Sequence, residues 1–258
     1  MEEAALIEKL LLFGLGRQEA AIYLCLLKNG GLTGYEVAKL TGISRSNVYN
    51  GLASLVEHGA AYVLEGASTR YTAVELREFC DNRIRYLEKT KEVLVENGPR
   101  QSPVSEGYIT VEGYGHICDK IHHMLLGAEK RIYFSAEGGF LEKWRDEIGE
   151  LVRRGSKVVL ISRNTEAVFS GETELRRGIL FYELPRHMRE GDEEERKRQL
   201  RLIIDSEYVL TGEVEGTAGD TCLYSAQKNF VNVFKEAMRN EIELIKIKGT
   251  IEGERTEQ

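Results

Sequence analysis

Residues 33–59, TGYEVAKLTGISRSNVYNGLASLVEHG, restrict the fold more than any other stretch of this chain. Thr33 with Glu36 three positions later is a capping box that opens a helix. Val37, Ala38 and Leu40 follow at helical spacing, and Gly42-Ile43 supplies a turn. A second helix starts at Ser44, carries Val48, Leu52 and Leu55 in steps of four and three, and stops at His58-Gly59. Its first turn is polar instead. Ser44, Arg45, Ser46, Asn47 and Asn50 cluster at the end that a recognition helix presents to base edges in the major groove. Arginine can bond bidentately to guanine, asparagine to adenine, and serine can reach phosphate or base. The stretch therefore predicts contact with double-stranded DNA.

The flanks complete a winged helix-turn-helix over residues 1–74. Residues 2–13 read as an amphipathic helix with Leu6, Leu10 and Phe13 on one side, broken by Gly14 and Gly16. A helix over Arg17–Lys28 turns Ala20, Tyr23, Leu24 and Leu27 inward and ends at Asn29-Gly30-Gly31. Beyond the recognition helix, strand-like runs at Tyr62–Leu64 and Arg70–Thr72 flank EGAST, a small polar hairpin tip. Ser68, Thr69 and Arg70 would lie along phosphates or the minor groove, and Thr33, Tyr35 and Arg70 would anchor phosphates. Tyr49 either bonds a phosphate or packs beneath the wing.

Residues 75–98 read as a charged connecting helix. Leu76, Phe79, Arg83, Tyr86, Thr90 and Val93 alternate steps of three and four, an imperfect heptad stripe. Such a stripe pairs with its copy in a second subunit; the alternative is a helix lying on its own domain. Asn97 to Pro103 holds two of the three prolines and marks the domain boundary.

Over residues 104–248 strands and helices alternate, which predicts an α/β domain with a partly parallel sheet. Strands are expected at Tyr108–Val111, Arg131–Ser135, Lys157–Ser162, Gly178–Leu184, Leu200–Ile204, Tyr208–Glu213, Thr221–Tyr224 and Leu244–Ile247. Helices are expected at His116–Leu126, Leu141–Arg154 and Phe230–Asn240. Residues 190–198 read as a solvated charged loop and 249–258 as a frayed tail. Ligands of parallel sheets bind beyond the carboxyl ends of strands. A small effector, anionic if Gly138-Gly139 offers its N–H groups, is expected at Ser135, Glu137, Gly138, Gly139, Ser162 and Arg163; the alternative there is an ordinary loop.

Composition trims the alternatives. With 258 residues, 42% hydrophobic and 30% charged, this is an ordinary globular composition with room for about two domains. The formal net charge is -7, and residues 1–72 carry six basic against seven acidic side chains. Without a strongly basic footprint, DNA affinity should be modest, dimer-dependent and steeply salt-dependent. Cys25, Cys80, Cys118 and Cys222 show no metal-ligand spacing and read as free thiols in a reducing cytosol. His122 and His123 point about 100° apart on a helix and cannot chelate from one face, so no metal and no cofactor are expected. No run is apolar enough to span a membrane and no signal peptide is apparent, so a cytoplasmic location is expected.

Phe13-Gly14-Leu15-Gly16-Arg17-Gln18-Glu19-Ala20, then Tyr23, Leu26-Leu27-Lys28, the helix from Leu32 to Ala38, Ser44-Arg45-Ser46-Asn47-Val48-Tyr49, and Arg70-Tyr71 form one pattern across the first 75 residues or so. By that pattern this part of the chain resembles the TrmB family of transcriptional regulators. Gly51 departs from the pattern, at a helix cost of ~1 kcal/mol relative to alanine, and is expected to relax packing. The remainder is similar to the phospholipase D-like domain that TrmB relatives carry, on Leu202-Ile203-Ile204-Asp205 and Gly212. In a catalytic domain of that kind the motif is His-x-Lys-x4-Asp-x6-Gly. Arg198 and Leu200 stand here where it has His and Lys. The nucleophile and the charge-balancing group are both missing, so the resemblance implies the scaffold without the reaction.

Together these readings imply a homodimeric, non-enzymatic regulator that binds an operator and senses a small effector. Two rivals carry different expectations. A DNA-targeted phosphodiesterase would need His187 as its nucleophile. A protein-interaction module would use the winged helix on protein, insensitive to salt.

Overall fold

The structure, a computed structural model, describes residues 3–66, 68–99, 107–165, 168–184 and 198–256, with side chains up to residue 247. His187 and nearly all of the charged run 190–198 lie outside the described residues, as does most of the boundary after Pro99. The chain divides into two compact units, Met1–Gln101 and Ser102–Gln258.

In the first unit α1 (Glu3–Leu12), α2 (Arg17–Asn29), α3 (Gly34–Thr41) and α4 (Arg45–Glu57) precede a hairpin of β1 (Ala61–Leu64) and β2 (Arg70–Ala73). Leu64 pairs with Arg70 at the hairpin end. Leu32, just before α3, adds a third strand position: its N–H donates to the Tyr71 carbonyl at 2.9 Å and its carbonyl accepts from the Tyr71 N–H at 2.7 Å. The core holds Ile22, Tyr23, Leu26, Val37, Val48, Leu52 and Leu55. Tyr23 is fully buried, and its hydroxyl donates to the Val74 carbonyl at 2.9 Å, pinning α2 to the end of the wing. A buried tyrosine needs such an acceptor.

Gly51 behaves contrary to expectation. It is buried on α4, and a β-carbon there would lie 2.6 Å from Cδ1 of Ile22. The glycine therefore draws α4 close against α2 instead of loosening it.

α5 (Leu76–Asn97) begins in the same core. Phe79 is buried against Tyr23, with ring centroids 5.4 Å apart. Arg83 donates through Nε to the Phe13 carbonyl at 3.0 Å and covers Gly14, whose φ of +89° and missing side chain allow that approach. Phe79 and Arg83 of the stripe thus lie against their own domain. Further along, Ile84, Tyr86, Leu87, Val93, Leu94 and Val95 are exposed.

The second unit is a seven-stranded mixed sheet. Its strands are β3 (Ile109–Glu112), β4 (Arg131–Ser135), β5 (Lys157–Ser162), β6 (Ile179–Glu183), β7 (Gln199–Ile204), β8 (Tyr208–Glu213) and β9 (Thr221–Ser225). They lie in the order β3-β9-β8-β7-β4-β5-β6. β4, β5 and β6 are parallel and every other pairing is antiparallel. One face, with Ile132, Phe134, Leu160, Leu200 and Leu202, packs under α6 (Tyr114–Gly127) and α8 (Arg145–Arg153). The other, with Val159, Ile161, Ile203 and Val209, packs under α10 (Lys228–Thr256).

Three expectations change here. The helix expected from Leu141 is α7 (Gly138–Leu141), a 3-10 turn (Glu142–Trp144) and α8. A short helix α9 (Thr173–Arg177) precedes β6. The strand expected at Leu244–Ile247 and the tail after it are helix: α10 runs unbroken to Thr256. Val231, Phe234, Met238, Ile242 and Ile245 keep a three-and-four period across that run and seat it on the sheet. The alternation of Leu244-Ile245-Lys246-Ile247 mimics a strand only locally.

Candidate nucleic-acid interface

The first turn and outer face of α4 carry the predicted contact residues. Ser44, Arg45, Ser46, Asn47, Tyr49 and Asn50 are exposed, while Val48 between them is fully buried. The side chains of Ser44, Ser46, Asn47 and Asn50 make no hydrogen bond among the described residues. Gly42, at φ +72°, is the left-handed cap that ends α3 and sets the turn into α4. Arg45 lies over the ring of Tyr35 on α3, 4.6 Å from its centroid. That cation–π contact holds the guanidinium in front of the interface.

Tyr49 lies against the start of α3. A β-carbon on Gly34 would meet its ring at 2.6 Å, so residue 34 has to be glycine for this ring position. The ring is still half exposed, which leaves its hydroxyl open to a phosphate.

Thr33 and Arg70 are more committed than the sequence suggests. The Thr33 N–H and hydroxyl donate to Glu36 Oε2 at 2.8 and 2.9 Å. Arg70 donates to the Gly31 carbonyl at 2.9 Å and stands 3.8 Å from the same Glu36 oxygen. These donations from Thr33, with Arg70 assisting, hold the Glu36 carboxyl below the usual range. Glu36 thus joins α3 to the wing. The capping box was legible at Thr33; the Arg70 link spans 34 positions and had no local signal.

In the second unit the predicted effector residues divide. Ser135, Glu137 and Arg163 line one cleft at the carboxyl ends of β4 and β5, with Gln199 and Arg201 from β7. β4 is flanked by parallel β5 and antiparallel β7, so the cleft sits where strand direction switches. It is small, a cavity of about 20 Å³. Arg201 is held by Glu241 of α10 at 2.7 Å and lies 3.4 Å from Ser135 Oγ. Gly138, Gly139 and Ser162 are not in its lining. Gly138 packs toward Ser162, Asn164 and Val168, with Val168 Cγ2 3.2 Å from its β-carbon position, and Ser162 is fully buried.

The motif residues are structural. The Asp205 carboxylate accepts from the backbone N–H groups of Glu129, Lys130 and Arg131 at 2.9, 2.7 and 2.8 Å. Burial alone would raise its pKa; those three donations and the Lys130 charge outweigh burial and hold it below the ordinary value. Leu200 is buried in the core under α6 and α8. At Gly212 a β-carbon would fall 2.2 Å from the Thr221 carbonyl oxygen, so β9 approaches only because the residue is glycine.

Among the described residues no three of His, Cys, Asp and Glu come together to hold a metal. His122 pairs with Glu147 at 2.7 Å. The Cys222 thiol is pushed up to about 12 by burial and then by Asp220, which makes it a poor nucleophile. Among the described residues no single helix is long and apolar enough to cross a membrane.

The fold and the exposed face of α4 define a winged helix-turn-helix unit joined to an α/β unit. Residues 10–77 match the family model described as sugar-specific transcriptional regulator TrmB. The chain is 32% identical over 136 residues to the uncharacterized protein YrhO of Bacillus subtilis, covering 52% of this chain and 47% of that protein. It is 28% identical over 170 residues to the HTH-type sugar sensing transcriptional regulator TrmBL1 of Pyrococcus furiosus, covering 64% and 49%. The chain thus spans about half the length of the curated relatives it matches. Among solved structures, the archaeal chromatin protein TrmBL2 aligns over 94% of this chain and 99% of its own, with 20% identity and a TM-score of 0.44.

Proposed function

We propose that this protein is a sequence-specific DNA-binding transcriptional regulator acting as a homodimer, with a catalytically silent phospholipase D-like unit that binds an effector. One observation carries the reading. Ser44, Ser46, Asn47 and Asn50 stand exposed and unengaged at the leading end of α4, beside an arginine pre-positioned on Tyr35. Polar side chains with no internal role, on the second helix of a winged helix, suit base edges and phosphates. Thr33, Tyr35, Tyr49 and Arg70 would border that footprint.

The dimer reading is supported by the exposed apolar residues on the outer two thirds of α5, where leucine and valine gain little from water. A pair of these helices would set the distance between two half-sites. The silent scaffold is supported by Leu200, which fills core where a phospholipase D places its lysine.

The test is fluorescence anisotropy of full-length protein with duplex fragments from upstream of its own reading frame, at several salt concentrations. The expected result is one preferred fragment, affinity falling with salt, and Arg45→Ala weakening binding roughly 10-fold or more, from the ~1–3 kcal/mol of a lost bidentate contact. Salt-insensitive binding that survives Arg45→Ala refutes the reading.

A further inference from the structure

The sheet face opposite α6 and α8 is covered by one helix. α10 crosses β8, β7 and β6, and beside it a groove opens with a cavity of about 220 Å³, some tenfold larger than the cleft at Ser135. The floor of the groove is apolar: Val159 and Ile203 from the sheet, Met238 and Ile242 from the helix, all buried. Tyr133 and Tyr182 flank it.

Its rim has the opposite character from the chain as a whole. Lys157 at the start of β5, with Lys235, Arg239 and Lys246 along one stripe of α10, faces a single carboxylate, Glu243. That carboxylate is taken by Lys246 at 3.0 Å. Arg239 reaches Glu236 at 3.6 Å on the solvent side. Lys157 and Lys235 make no ion pair among the described residues. With Glu236 counted beside Glu243, four cations face two acids, a local excess of two positive charges in a chain of net charge -7. Cations around an apolar floor attract a ligand with an apolar body and a charged head.

We propose that this groove binds an amphipathic organic anion. A single ring or short acyl chain lies on Val159, Ile203 and Met238, and a carboxylate or phosphate head meets Lys157 and Lys235. The helix that walls the groove also carries Glu241, whose ion pair with Arg201 at 2.7 Å is mostly shielded from water, at 17% and 14% side-chain exposure. A ligand that displaces α10 therefore also acts at the carboxyl-end cleft, through the Glu241–Arg201 pair. Only the assignment of this ligand as the effector rests on the regulator reading; the site itself rests on the α/β unit alone.

The experiment uses the full chain and no DNA, so its failure is separate from failure of the regulator reading. 1-Anilinonaphthalene-8-sulfonate is bound and followed by fluorescence, then displaced by octanoate or by 1-octanol, which has the same chain length without charge. Octanoate should displace the probe at a concentration at least tenfold below that of octanol. Lys157→Glu with Lys235→Glu should erase that preference while circular dichroism stays unchanged; Lys157→Gln with Lys235→Gln is the milder pair if the first fails to fold. Equal displacement by the two competitors overturns the proposal, as does octanoate affinity unchanged in both pairs. Probe binding that appears only on dilution to monomer also overturns it, since the groove is then filled by a second copy.

Discussion

Asp205→Asn tests whether the motif aspartate is a structural clasp. Asp205 has φ +53°, a region asparagine tolerates, so the substitution adds no backbone strain. The amide oxygen can keep the two bonds now made by Oδ1, from Lys130 and Arg131. The amide nitrogen then faces the Glu129 N–H, which donates to Oδ2 in the native protein, donor against donor. One hydrogen bond and the carboxylate charge are lost. A bond to a charged group contributes about 1.5–3 kcal/mol, and partial exposure screens this toward the lower end, so a loss of ~2 kcal/mol is expected at pH 7. The chain's single tryptophan, Trp144, is buried in the α/β unit, so its fluorescence in urea reads that unit alone. At a slope of ~2 kcal/mol per molar, the midpoint should fall by about 1 M. The sign with pH is fixed by the lowered pKa of Asp205. Its contribution is complete above the unfolded value near 3.9 and disappears as pH drops through the lower folded value. Native and variant midpoints should therefore stay apart from pH 7 to 5 and converge below about pH 4. A midpoint unchanged at pH 7, or a gap that persists undiminished at pH 3, refutes the clasp.

Other perturbations address the first unit. Tyr35→Ala removes the platform beneath Arg45 and should weaken operator binding about two- to fivefold, the ~0.5–1 kcal/mol of an exposed cation–π contact, with the melting temperature unchanged. Gly51→Ala should destabilise by ~1 kcal/mol: overpacking costs ~1–3 kcal/mol, offset by ~1 kcal/mol of helix propensity. Ile22→Val removes the clashing methyl, so the double variant should exceed either single variant's additive expectation in thermal melts; strict additivity refutes the close-approach argument. Leu94→Asp, on the exposed outer part of α5, should convert a dimer to monomer in sedimentation velocity and leave circular dichroism unaltered.

The first unit was legible because its signals are local. Thr33 and Glu36 form their cap within one turn, Gly42 ends α3, and the 48/52/55 stripe fixes which face of α4 is buried. In the second unit the strands were legible to within a residue or two, since Val158 to Ile161 or Leu202 to Ile204 offer apolar runs of strand length. What sequence could not supply was anything depending on a distant partner. Gly51 looked like a weak point because Ile22, 29 positions away, is what it accommodates. The end of α10 read as a strand because its helical period becomes evident only when continued from Val231. A site at Ser135 was expected from strand ends, yet Arg201, which also lines that cleft, comes from a later strand and is held by Glu241.

The strand position at Leu32 has a mechanical consequence. Through Leu32 and Tyr71, and through Glu36 shared by Thr33 and Arg70, the wing is stitched to the front of α3. Wing and helix pair then form a single rigid jaw with no joint of its own. Such a jaw cannot stretch to suit an operator whose grooves are spaced differently. Its tolerance for spacing has to come from outside the stitching, and a break at Leu32–Tyr71 would show as faster amide exchange at the start of α3 before any in the wing itself.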